Sequence, residues 1–118
     1  MQVASANDVV KVASSMPEAA RVLADEFWPG PLTLVLAKRA VISDLMTGGA
    51  ATIGVRVPNH AVALALLNEL DTPITGTSAN ISGNAPAANA SDAMQGLEDA
   101  VGVVLDAGET TCRVPSTV

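Results

Sequence analysis

The chain has 118 residues, 49% hydrophobic and 15% charged, enough for one domain with an ordinary core and too apolar for a disordered tail. Twelve acidic residues against six basic ones give a net charge of −6, which argues against a sequence-independent grip on phosphate backbones. One Trp, one Phe and no Tyr offer no stacking platform, and the single Cys112 excludes an internal disulfide framework or a multi-cysteine zinc site. No run approaches the ~18 apolar residues of a membrane span. MQVASANDVVKV also lacks the basic start and apolar stretch of a signal peptide. A soluble, cytoplasmic domain is expected, with no membrane partner.

In chain order, Ser15 and Glu18 read as a capping box with Pro17 in the first helical turn. Ala19, Ala20, Val22, Leu23 and Phe27 follow at helical spacing. Pro29-Gly30-Pro31 stops that helix at Trp28. Leu32 to Ala37 reads as a buried strand, and Thr47-Gly48-Gly49 as a loop before a second strand, Thr52 to Val57. A helix from about His60 to Leu70 is broken by Asp71-Thr72-Pro73. A short strand, Ile74 to Ser78, then runs into a polar loop, Ala79 to Asn89. A weak helix over Ser91 to Leu97, a strand Val101 to Asp106 and an extended segment from Val114 to Val118 complete the pattern. Strands alternating with helices predict an α/β (α+β) fold, a mixed β-sheet flanked by helices. Residues 1–118 read as a single domain with no repeat.

Neither a GxxxxGK[ST] phosphate loop nor a GxGxxG fingerprint is present. His60 is the only histidine, which removes most triads, and it reads best as a helix-start residue. Cys112 has no histidine near it in sequence and reads as a bystander thiol. The strand TIGVRV says more. Alternation puts Thr52, Gly54 and Arg56 on one face, and the apolar Ile53, Val55 and Val57 on the other. Arg56 then stands about 13 Å along from Thr52, at ~3.3 Å per residue, across a floor opened by Gly54. A small anion held bidentately by arginine would fit that floor, and so would a plain solvated strand face. A second constellation, Thr75 to Asn84, packs hydroxyls, amides and glycines into one run suited to phosphate or base edges. Composition alone favours a turn there. Pro115-Ser116-Thr117 is too short to speak by itself.

Four ordered blocks carry a resemblance: Phe27 to Leu36 (FWPGPLTLVL), Thr52 to Pro58 (TIGVRVP), Thr77 to Gly83 (TSANISG) and Pro115 to Val118 (PSTV). Together they resemble the YrdC-like family of L-threonylcarbamoyladenylate synthases over nearly the whole chain. The resemblance implies a YrdC-like twisted sheet with an open concave cleft. It also implies a nucleotidyltransferase that makes threonylcarbamoyl-AMP from L-threonine, bicarbonate and ATP, with pyrophosphate released. ATP would enter as substrate with Mg2+, without a tightly bound cofactor. Partner t6A-transfer proteins would pass the group to an adenosine of tRNAs that read ANN codons.

By that resemblance Ser78 and Asn80 match the SxN half of the nucleotide signature, and Thr52 also faces the nucleotide. Arg56 would hold the threonine carboxylate, and Ser116 would lie in the same cleft. Catalytic residues proper are not assigned. The other signature half, KxR, belongs upstream of Met1, so the segment reads as a partial domain cut short at both ends, inactive alone. Unpaired sheet edges would then favour self-association. Double-stranded RNA binding and a weak tRNA contact are further family expectations, against which the net charge weighs. Two other readings of the same fold are a non-catalytic RNA- or nucleotide-binding module and the carbamoyl-adenylate domain of a hydrogenase-maturation carbamoyltransferase.

Overall fold

Apolar side chains alternate along two short strands, and burial follows the alternation. In β1 (Leu34–Ala37) Leu34 and Leu36 are buried while Val35 and Ala37 are exposed. In β2 (Thr52–Val55) Ile53 and Val55 are buried and Thr52 is exposed. The two pair antiparallel with Leu34 opposite Val55 and Leu36 opposite Ile53, so four apolar side chains share one face. The computed structural model describes residues 1–79, 87–95, 97, 100–110 and 116–118. Its contacts form two units, Met1–Gly76 with Ser116–Val118, and Thr77–Pro115.

In the first unit single bridges widen the ladder on both sides. Beyond β2, Arg56 pairs parallel with Gln2, and Gln2 pairs antiparallel with Ile74. Beyond β1, Leu32 pairs parallel with Thr117. The layer is therefore mixed, as the alternation of strands and helices predicts. Helix α1 (Glu18–Phe27) and a 3₁₀ helix (Ala6–Lys11) contribute Ala20, Ala24 and Val9 to the core. Val3, Val12, Leu34, Leu36, Ile53, Val55 and Val57 complete its centre. Each fully buried Val or Leu stabilises the fold by about 1.5–3 kcal/mol relative to exposure.

Helix α1 departs from expectation at both its cap and its face. It starts at Glu18 with Pro17 as N-cap and no side-chain cap, so Glu18 is its first residue rather than the partner of Ser15 in a capping box. Its buried residues are Ala20 and Ala24, whereas Val22 and Phe27 are 59% and 50% exposed. Small side chains one turn apart let the helix axis come close to its neighbours, and the larger ones are left outside.

Helix α2 (Ala61–Leu70) opens on His60, whose Nδ1 accepts from the Ala63 amide at 3.4 Å. The helix-start reading of His60 holds. It ends at Asp71, which adopts the left-handed conformation (φ 48°). Two expected strands do not form. Of Ile74 to Ser78 only Ile74 pairs, and Val101 to Asp106 is exposed and unpaired, with Val103 77% accessible. Strand propensity without a ladder partner makes no strand. In the second unit α3 (Ala90–Met94) is capped by the Asn89 side chain accepting from the Asp92 amide. Asn80 to Pro86 and Cys112 lie outside the described residues.

One ionic tie spans the first unit. Lys11 Nζ lies 2.9 Å from Asp8 Oδ1 and 2.7 Å from Asp71 Oδ1, joining the 3₁₀ helix to the end of α2. The Ser5 hydroxyl donates to Asp8 at 2.6 Å. That bond, followed by the Lys11 ammonium, holds the Asp8 carboxyl below its ordinary value. A depressed carboxylate stabilises the fold above the unfolded value of about 3.9, and the contribution fades as pH falls through the folded value. Asp8→Asn should therefore lower stability at neutral pH by about 0.5–1 kcal/mol. The difference should close as pH falls through the depressed folded value, where the wild-type carboxyl also becomes neutral. Thermal unfolding across that range checks it, and a pH-independent gap would contradict it.

Candidate functional site

The face of the sheet opposite the core is the side that chemistry can reach. Thr52, Gly54 and Arg56 lie on it, joined across the ladder by Val35 opposite Gly54 and Ala37 opposite Thr52. The sequence alternation of TIGVRV thus holds in three dimensions. A Cβ at Gly54 would meet the Thr33 methyl at 3.1 Å, so Thr33 covers part of the floor that glycine leaves open.

Arg56 is fixed from two directions. Its backbone amide donates to Met1 O at 3.1 Å, and its carbonyl accepts from the Val3 amide at 3.0 Å. Its Nε donates to Gly30 O at 2.7 Å. That bond occupies the Nε–H and leaves the end-on pair of η nitrogens, the edge that receives a carboxylate or phosphate bidentately. No carboxylate pairs with it among the described residues. The side chain is half-buried. A solvated strand face would need no such anchoring.

The anchor depends on Gly30, which follows the cis Trp28–Pro29 peptide. Its amide donates to Val57 O at 2.9 Å. A Cβ at this position would fall 2.1 Å from Phe27 O, so only glycine lets the chain pass there. Trp28 Nε1 donates to Leu32 O at 2.7 Å and closes the turn from within.

Ser116 comes to the same part of the sheet. Thr33 donates to Thr117 O at 2.8 Å, and Thr117 donates to Pro31 O at 3.1 Å. Thr117 therefore shares the side of Leu32, and alternation turns Ser116 toward the face of Thr33. In this register Ser116 stands beside Pro31, next in sequence to the carbonyl that anchors Arg56. Thr52, Arg56 and Ser116 are thus gathered in the first unit. Ser78 belongs to the second unit and is exposed, and Asn80 lies outside the described residues.

Two residues escaped the sequence reading. Thr33 carried a signal, since it is the polar member of the alternation Leu32-Thr33-Leu34. Gln2 carried none, because its single bridge to Arg56 joins distant segments. That pairing puts Gln2 on the Arg56 face, with its amide against Gly76 and its Oε1 buried without a hydrogen-bond partner. Among the described residues no group of three His, Cys, Asp or Glu could hold a metal ion, and no helix is long and apolar enough to cross a membrane.

A protein-family model named Sua5/YciO/YrdC and described as telomere recombination matches residues 1–118. Threonylcarbamoyl-AMP synthase of Pyrococcus abyssi is 41% identical over 118 residues, covering 100% of this chain and 35% of that protein. Its Bacillus subtilis namesake is 35% identical over 119 residues, covering 100% of this chain and 34% of that protein. The crystal structure of P. abyssi Sua5 complexed with L-threonine matches 98% of this chain and 34% of that one, with a TM-score of 0.94 at 40% identity. The chain spans about a third of the length of these relatives.

Gly30→Ala tests the anchor. Forcing a Cβ against the Phe27 carbonyl should cost about 2 kcal/mol or more and shift the Arg56 Nε resonance. Gly54→Ala meets only a methyl group that can rotate, and should cost less and leave that resonance in place. Thermal unfolding with arginine side-chain NMR checks both. An unmoved Arg56 Nε in Gly30→Ala would contradict the anchoring.

Proposed function

This chain belongs to the Sua5/YciO/YrdC family, and from that premise we propose that it forms the threonine- and nucleotide-binding floor of a threonylcarbamoyl-AMP synthase. The observation that carries the proposal is Arg56: a half-buried guanidinium, pinned through Nε, its η edge unpaired by any carboxylate among the described residues. That edge suits the carboxylate of L-threonine, the ligand named for the P. abyssi structure. Ser116, beside the anchoring turn, would complete the amino-acid end. Thr52, farther along the same strand face, would lie toward ATP, and Ser78 with Asn80 would bind the nucleotide.

The reaction on such a floor is positioning and electrostatics. The threonine amine attacks the carbon of bicarbonate, water leaves, and a carbamate forms. A carbamate oxygen then attacks the α-phosphorus of ATP, and pyrophosphate departs.

 Mg2+ is expected to accompany ATP, and the adenylate would be consumed by t6A-transfer proteins that carry the group to tRNA. The charge balance sets a limit on the chain alone. ATP brings about four negative charges, and positioned cations usually supply the largest catalytic contribution. Among the described residues Lys11 and Lys38 are paired with carboxylates and Arg21 and Arg39 line a cavity elsewhere, which leaves Arg56 on this face.

The test is to graft this chain in place of the matching third of the P. abyssi synthase and follow threonylcarbamoyl-AMP by mass spectrometry. Arg56→Ala should raise the threonine requirement by about 10- to 150-fold, the equivalent of a charged hydrogen bond of ~1.5–3 kcal/mol, with little change for ATP. Ser78→Ala with Asn80→Ala should do the reverse. The 118 residues alone should give no product in the same assay. An unchanged threonine dependence in Arg56→Ala would overturn the assignment.

A further inference from the structure

A second pair of cations, Arg21 and Arg39, is gathered away from Arg56. In a chain with twelve acidic residues and six basic ones, Lys11 is paired with Asp8 and Asp71, and Lys38 with Asp44. Arg21 and Arg39 have no carboxylate partner among the described residues, and both line one cavity of about 490 Å³. Its walls come from the 3₁₀ helix, the link at Ser14, Ser15 and Met16, and the first turns of α1. None of the residues lining it is acidic. Val9 and Ala13 line it and also belong to the core, and neither Thr52 nor Arg56 is among its lining residues.

Arg39 is held in position there. Its amide donates to Val12 O at 2.9 Å and its Nη1 donates to Val10 O at 2.7 Å. Nε and Nη2, which form the other edge of the planar fork, are left to face a ligand. Arg21 enters from the first turns of α1, and Ser15 adds a hydroxyl. Two like charges turned into one cavity repel each other unless an anion lies between them. A solubilising role would call for no such convergence in a chain so rich in carboxylates.

We propose that the Arg21–Arg39 cavity is a binding site for a compact oxyanion, phosphate or carboxylate, separate from the Arg56 floor. Bidentate guanidinium contacts recognise both chemistries. The cavity lies within the size range of small-molecule sites.

The test titrates the chain with inorganic pyrophosphate, with citrate, and with sodium chloride at matched ionic strength, following arginine Nε and backbone amide resonances by NMR. A saturable response at Arg21, Arg39, Ser14 and Ser15, absent with chloride, is expected. Tighter pyrophosphate binding assigns the site to phosphate groups, and tighter citrate binding assigns it to carboxylates. Arg21→Gln should weaken that response by about tenfold or more, and Arg39→Lys should weaken it while keeping a charge at the position. Arg56→Ala and Lys38→Gln should leave it unchanged. A response that merely follows ionic strength, or one that Arg21→Gln does not weaken, would overturn the proposal.

Discussion

The hydrogen bond from Arg56 Nε to the Gly30 carbonyl ties the face of the sheet opposite the core to the rest of the fold. It joins the end of the β2 ladder to the turn that follows α1, and it selects which edge of the guanidinium remains for a ligand. Gly30 supports it because any Cβ there would strike the Phe27 carbonyl. Val57 supports it by accepting from the Gly30 amide. A charged side chain fixed in this way loses little further freedom on binding, which is how a site is organised in advance of its ligand.

The sheet separates two kinds of work. On one face Leu34, Leu36, Ile53 and Val55 meet the 3₁₀ helix and α1 in the core. On the other, Thr33, Thr52, Gly54 and Arg56 lie beside the exposed Val35 and Ala37. The same period of two that drives burial places the polar side chains together. Main-chain pairing of Thr117 with Leu32, and of Gln2 with Arg56, adds residues from both ends of the sequence. The floor is therefore assembled from four segments that are far apart along the chain.

What the sequence made legible was local. TIGVRV announced its two faces because alternation needs only neighbouring residues, and Asp71-Thr72-Pro73 announced the end of a helix. The Gly30–Arg56 bond spans 26 positions and left no local trace. The helical spacing of Ala19, Ala20, Val22, Leu23 and Phe27 includes the buried Ala20 and passes over the buried Ala24, while Val22, Leu23 and Phe27 stay exposed, because close approach of a helix favours the small residues. The run Val101 to Asp106 has strand composition, but a strand requires a partner, and pairing is not a property of the segment alone. The family resemblance rested on ordered blocks spread over the chain, and the match over residues 1–118 bears it out.

The central claim is that the free edge of Arg56 receives an amino-acid carboxylate. Titrating the chain with L-threonine and, separately, with L-threonine methyl ester, while following arginine Nε and backbone amide resonances, tests it most directly. The account predicts a saturable shift at Arg56 Nε and at the Gly54 amide with the free acid, and none with the ester. An equal response to the ester, or saturable shifts elsewhere with Arg56 silent, would contradict it.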